Sequence, residues 1–230
     1  MLKKTVLTFA FLTLFTTFYG FTARFDDPAK DASSNESTGT DLLLAGRERY
    51  VISVYDDLIR RISEQEGHDW RLMSAIAYHE SRFTPDIVSR RGARGLMQIM
   101  PSVARQFGVP VEAVSDPATN IRVANKLLSH IAGTLIFAEK TSARDRISII
   151  LASYNGGLGH VIDARRLARA FGEDPDSWEV VARYLELKAD PDYYRSEEVR
   201  CGRFLGSAQT LAYVDDVVDH YYKYCRIAAR

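Results

Sequence analysis

One carboxyl group stands out by its position. In "AIAYHESRF", residues 75–83, Glu80 follows Ile76 by four residues and Met73 by seven. In a helix that spacing puts Glu80 on the apolar, core-facing side. Burial disfavours the charged carboxylate and raises its pKa, so a glutamate placed there can donate a proton near neutral pH and later take one back. The spacing leaves a second reading open, a buried ion pair with Arg82 or Arg94.

Two further segments have the residue types of a binding cleft. "SRRGARGLMQIMP", residues 89–101, holds Gly92 and Gly95 around Ala93 and Arg94. Glycines at that spacing allow a tight turn and a close backbone approach to a ligand. Ser89 and Gln98 supply polar groups beside apolar Leu96 and Met97, the composition of a cleft wall. "ASYNGGLG", residues 152–159, presents Tyr154 and Asn155 at a helix end ahead of glycines. Those side chains either cap the helix or pack on and hydrogen-bond a sugar.

Other chemistries lack their residues. The His-Glu pair at 79–80 would need a second histidine at position 83 to bind zinc, and that position is Phe83. His68, His130, His160 and His220 are scattered and are read as surface or satisfied core histidines. "GGLGH", residues 156–160, lacks the Lys-Ser/Thr ending of a phosphate loop, and no Gly-x-Ser-x-Gly elbow occurs. No cofactor and no metal site is expected. With 30 basic and 30 acidic residues the net charge is zero, without the basic excess of a nucleic-acid binder. "DARRLAR", residues 163–169, is read as the solvated face of a helix.

These segments must be positioned by helices. Hydrophobic residues make up 46% of the 230 and charged residues 26%, a globular balance. Helical periodicity runs through roughly 47–65, 69–82, 101–107, 119–138, 144–154, 159–171, 176–187 and 207–226, with few alternating β-branched runs. Asp69 can cap the second, and Gly108 and Gly172 follow helix ends. The fold class is all-α, one helical domain over 47–230. Residues 24–46 are polar and read as a flexible linker. Residues 1–23 carry Lys3 and Lys4, then an uncharged run to Ala23. This is read as a secretory signal peptide cut near Ala23, with an uncleaved signal anchor as the alternative. Either way the rest is exported, to the periplasm or cell envelope, with membrane association possible through that segment. Cys201 and Cys225 are the two cysteines. A helix over 207–225 is about 27 Å long, and the lead-in from Cys201 reaches back only about 20 Å, so closure is marginal and no disulfide is assumed.

The three segments, in this order, resemble the lysozyme-like lytic transglycosylases of bacterial cell walls. Glu80-Ser81 resembles the family's catalytic helix end. "SRRGARGLMQIMP" is similar to its Ser-x-x-Gly-Ala-x-Gly-Leu-Met-Gln-x-x-Pro motif. "DPATNI", residues 116–121, resembles the start of its next long helix, and "ASYNGG" its Tyr-Asn-Ala-Gly motif. The likeness spans about 65–225. It implies a lysozyme-like fold, Glu80 as the single catalytic acid/base, and a sugar cleft lined by Ser89, Gln98, Tyr154, Asn155 and Tyr213, with Met97 in its wall. It also implies peptidoglycan strands as substrate, with cleavage between N-acetylmuramic acid and N-acetylglucosamine to leave a 1,6-anhydro end. Hydrolysis by water, as in goose-type lysozymes of this fold, and a non-catalytic wall-binding module are the alternatives. "YNGGLGHVIDARRLARAFGEDPDSW" and Tyr213-Val214 resemble more narrowly a membrane-bound branch of the family, whose members carry a solute-binding-protein-like domain ahead of the catalytic one. Here a linker stands in that place. Gly156 replaces the motif's usual alanine, a small-for-small change expected to keep the loop.

Overall fold

The computed structural model describes residues 51–228. The segments read above as a signal (1–23) and a linker (24–46) lie outside the described residues. In chain order the helices are α1 (Asp56–Gln65), α2 (Trp70–Ser81), α3 (Pro101–Gln106), α4 (Pro117–Thr134), α5 (Ala143–Ala152), α6 (Leu158–Ala170), α7 (Trp178–Leu187), α8 (Pro191–Tyr194) and α9 (Ser207–Ala228). A short 3₁₀ turn, Val111–Ser115, precedes α4, and a wide π turn, Ser153–Gly157, joins α5 to α6. Among the described residues no strand forms. Isolated bridges pair Arg94 with Val88 and with Ile99.

The all-α expectation therefore holds, and α2 shows why. Leu72 to Ala77 are six consecutive buried residues, so this helix is apolar nearly all round and must be surrounded. It packs between α1 and α9. Ile59 and Ile62 of α1 and Val214, Val217 and Tyr221 of α9 are buried in the same core. Each such buried aliphatic side chain contributes roughly 1.5–3 kcal/mol. Asp69 caps α2 by accepting from the Arg71 amide at 2.8 Å, and the Tyr221 hydroxyl of α9 donates to the same carboxylate at 3.0 Å. The cap that the sequence indicates thus also ties the two helices together.

Several boundaries differ from the periodicity. Residues 51–55 are not helical; α1 starts at Asp56. The Asp56 carboxylate accepts from the amides of Ile52 (2.6 Å) and Ser53 (2.9 Å), folding that stretch into a turn instead. Helix α4 ends at Thr134, short of position 138. Beyond it the Ile136 carbonyl accepts from Arg165 and the Ala138 amide donates to Asp176, which draws residues 135–138 off the helix axis.

That same contact corrects the reading of "DARRLAR" as solvated. Arg165 and Asp176 are buried and form a salt bridge. Asp163 and Lys188 are both fully buried, paired at 2.8 Å. Asp163 also accepts from the Arg200 and Cys201 amides at 3.0 and 2.8 Å. Burial pushes the Asp163 carboxyl up, but Lys188 and the two amides outweigh it and hold it below the usual range. The partners lie 11 and 25 residues away in sequence, beyond any local charge pattern. Both cysteines are free thiols, Cys201 exposed and Cys225 buried.

Candidate active site

Helix α2 stops one residue after Glu80. Arg82 and Phe83 both take positive φ, 53° and 58°, an uncommon conformation for side-chain-bearing residues. The Arg82 guanidinium lies 4.0 Å over the Tyr78 ring. Ser81 fixes the end from the other side, its hydroxyl donating to the Leu96 carbonyl (2.9 Å) of the glycine loop. Two unusual backbone angles and one buried hydroxyl thus present Glu80 at a helix terminus.

Glu80 forms no salt bridge among the described residues. Arg82 is engaged by Tyr78, and the Nε of Arg94 is buried with no hydrogen-bond partner. The ion-pair reading is not what the fold builds. Burial raises the Glu80 carboxyl to about 7, and the Tyr213 hydroxyl is the one group that pulls it back down. That hydroxyl is buried and closes no hydrogen bond of normal geometry, so its hold on Glu80 is loose. Burial, reinforced by the nearby Glu80 charge, raises Tyr154 and Tyr213 well above the ordinary phenol range. Both therefore remain neutral phenols beside the carboxyl.

The glycine loop owes its shape to a residue whose role sequence reasoning missed. Asn120, fully buried in the first turn of α4, donates to the carbonyls of Arg94 (2.9 Å) and Val114 (2.8 Å). It accepts from the Met97 amide at 2.8 Å. Its only sequence signal is its place in "DPATNI". Gly95 has φ +78°, and a Cβ there would fall 2.4 Å from Asn120 Nδ2. Glycine and asparagine are therefore complementary at this point.

The wide turn Ser153–Gly157 breaks the α-helical register at Tyr154 and Asn155, the kind of interruption that recurs at functional sites. The Tyr154 hydroxyl donates to the Met97 carbonyl at 2.9 Å, closing the turn onto the glycine loop. Asn155 Oδ1 accepts from Thr210 of α9 at 3.0 Å. A Cβ on Gly156 would lie 2.9 Å from Thr210 Oγ1 and 3.1 Å from Phe204 Cζ. Glycine here is thus fitted to its neighbours and not a neutral exchange for alanine.

The fold brings Glu80, Tyr154 and Tyr213 together, with Met97 joined through its carbonyl. The Met97 side chain is fully buried, so it packs the core beneath the loop and offers no surface to a cleft. Gln98, at φ 47°, donates to the Gly95 carbonyl at 3.0 Å. Ser89 accepts from the Ala93 amide at 2.9 Å. These two residues hold the loop and contact neither Glu80 nor each other through a hydrogen bond. Asp86, the nearest acid downstream of Glu80, is exposed. The fold also joins His79 to His220, Nε2 to Nδ1 at 2.9 Å, across 141 positions and with no sequence signal. Among the described residues no group of three or more metal-ligating side chains comes together.

A family model, the transglycosylase SLT domain, matches residues 57–176, just over half the chain. The chain belongs to that family. It is 35% identical over 170 residues to membrane-bound lytic murein transglycosylase F of Alcanivorax borkumensis, a match covering 74% of this chain and 35% of that protein. It is 34% identical over 167 residues to the transglycosylase F of Marinobacter nauticus, covering 73% of this chain and 32% of that one. The chain thus spans about a third of the length of these relatives. Among solved structures, an inactive variant of lytic transglycosylase Slt from Pseudomonas aeruginosa superposes with a TM-score of 0.50 at 22% identity, over 74% of this chain and 24% of that one. At that identity the likeness speaks for the shared fold.

Proposed function

We propose that this chain is a peptidoglycan lytic transglycosylase of the cell envelope, acting through Glu80 alone. The observation that carries the proposal is a single carboxyl raised to about 7 by burial, with no other acid among the causes of its shift. Retaining and inverting glycosidases of the usual kind need two carboxylates; a lone one fits a reaction in which the substrate supplies the second group. The names of the relatives, lytic murein transglycosylases, support the same class.

The steps follow from one acid. Protonated Glu80 gives its proton to the glycosidic oxygen between N-acetylmuramic acid and N-acetylglucosamine, and the C1–O bond breaks. The 2-acetamido oxygen steadies the positive C1. Glu80, now a carboxylate, takes the proton of the muramic C6 hydroxyl, whose oxygen bonds to C1. The product carries a 1,6-anhydro ring, no water is consumed, and Glu80 ends protonated as it began. A resting pKa near 7 suits both half-reactions, since neither the loss nor the gain of the proton is steeply uphill. Tyr213 is read as the donor that orients the carboxyl, Tyr154 as the ring that ties the glycine loop beside it through the Met97 carbonyl, and Ser89, Gln98 and Asn155 as residues along the cleft.

Digestion of purified peptidoglycan tests the proposal by mass spectrometry. Products one water lighter than hydrolysed muropeptides are expected. Reducing-end muropeptides alone would assign the chain to water-dependent muramidases, and a Glu80→Gln variant that digests wall as the parent does would remove Glu80 from the chemistry.

A further inference from the structure

The residue before Glu80 makes a contact that the chemistry above leaves unused. His79 Nε2 of α2 lies 2.9 Å from His220 Nδ1 of α9. The bond between Tyr221 and Asp69 ties α9 to the start of α2, and the histidine pair ties it to the end. The shared hydrogen can be placed. His220 Nδ1 also lies 3.0 Å from the Asp216 carbonyl, one turn back on α9. A carbonyl only accepts, so Nδ1 of His220 carries the hydrogen and Nε2 of His79 offers its lone pair. An accepting imidazole has to be neutral. Burial, and after it the neighbouring His220, hold the His79 pKa below the ordinary histidine value; Arg82 adds to this and Asp216 opposes it.

The pair stands where α9 meets the candidate active site. Tyr213 precedes His220 by seven residues, about two helical turns, so both project from the same face of α9. The His79 ring lies against both, its centroid 6.5 Å from that of Tyr213, edge to face, and 4.7 Å from that of His220. Tyr78 packs on His220 at 4.7 Å, and Tyr224 lies 6.0 Å from it. Tyr213 in turn is the one group that draws the Glu80 carboxyl down. No hydrogen bond of normal geometry pins its hydroxyl, so its place beside Glu80 is set by whatever holds its ring and its helix. Tyr154, the other phenol near Glu80, is fixed by its own bond to the Met97 carbonyl and has no need of such support.

We propose that His79 and His220 are positioning residues for Glu80: their hydrogen bond braces α9 against the end of α2 and so keeps Tyr213 within reach of the carboxyl. The brace deepens the reading of Glu80 as the acid and base of the reaction and rests on it. Neither histidine touches the reacting atoms. Both act through Tyr213, and Tyr213 acts on the protonation of Glu80. Without the brace the tyrosine restrains the carboxyl less, and Glu80 gives up its proton at a higher pH.

The test follows the titration of Glu80 by carboxyl ¹³C NMR in the full chain labelled at glutamate, the Glu80 signal being the one missing from Glu80→Gln. His220→Phe removes the donor and keeps a ring between Tyr78 and Tyr224. It also leaves in place the charged groups that line a groove with His220, namely Arg144, Asp219, Lys223 and Arg226. The Glu80 midpoint is expected to rise by about half a pH unit, the effect of losing part of one neutral hydrogen bond. His79→Leu, which removes the acceptor, should give the same shift and carries the comparison alone if His220→Phe does not fold by circular dichroism. In a Tyr213→Phe background neither change should shift the midpoint further, because the brace acts through that hydroxyl. His79→Gln, whose amide oxygen can accept from His220, should titrate as the parent does. Parent-like midpoints in both His220→Phe and His79→Leu overturn the proposal, as does a shift that persists in full without the Tyr213 hydroxyl. A shift in His79→Gln as large as in His79→Leu assigns the effect to ring packing and overturns it too. On purified peptidoglycan the alkaline limb of the pH–activity profile should move with the NMR midpoint. If the midpoints shift as expected and the parent digests no wall, the reading of the chain as a peptidoglycan enzyme fails and the brace stands.

Discussion

Replacing Glu80 with glutamine should make this protein more stable at alkaline pH. The reason lies in the direction of the Glu80 shift. Burial raises its carboxyl from 4.5 to about 7 in the folded state. Between those values the folded chain binds more protons than the unfolded one, so stability falls as pH rises across that window. Above about pH 7 the penalty is complete; below about 4.5 it is absent. At about 1.4 kcal/mol per pH unit the full penalty is roughly 3 kcal/mol, an upper limit because Glu80 is only partly buried and keeps some contact with solvent. Glutamine has nearly the same shape and never ionises. For a domain of this size, the Glu80→Gln protein should melt up to roughly 6–12 °C higher at pH 8. The two melting curves should converge near pH 4. Thermal or urea denaturation across pH 4–8 measures this without any knowledge of substrate. An ion pair would give the opposite sign, because removing one partner of a buried pair destabilises at neutral pH. A Glu80→Gln protein less stable than the parent at pH 8, or a gap that fails to close on acidification, would refute the burial argument.

The remaining predictions concern the supports of the site. Tyr213→Phe removes the group that lowers the Glu80 pKa, so the alkaline limb of the pH–activity profile should move to higher pH while the fold is kept, as circular dichroism would show. Gly95→Ala forces a Cβ against Asn120 at a positive φ and should cost about 2 kcal/mol or more in chemical denaturation, with activity lost through the displaced loop. Gly156→Ala drives a methyl against Thr210 and Phe204 and should cost about 1–3 kcal/mol, read from the urea midpoint. Lys188→Met leaves the Asp163 carboxylate buried without its main counter-charge, and about 3 kcal/mol of stability should disappear at neutral pH.

Glu80 shows how far sequence alone reaches. Its helical spacing already placed a carboxyl on an apolar face, because a helix repeats every 3.6 residues and the pattern is local. The same locality made α2, its Asp69 cap and the all-α architecture legible from the chain. The glycine loop and the Tyr-Asn turn were legible as motifs, because turns need particular residue types at particular positions. What stayed hidden depends on partners far apart in the chain. The choice between an ion pair and a raised pKa rested on whether an arginine folds against Glu80. Arg82 turns to Tyr78, while Tyr213, 133 positions downstream, comes to the carboxyl instead. Asn120 looked like part of a helix start, and only packing made it the tie of the glycine loop. "DARRLAR" looked solvated because Lys188 and Asp176 lie outside any local window. Met97 looked like a cleft wall until the core closed over it. The sequence by itself determined which segments become helices and turns, since their energies are set by neighbours along the chain. The tertiary structure decided what each exposed or buried charge meets, since solvation and pairing depend on distances that periodicity does not encode.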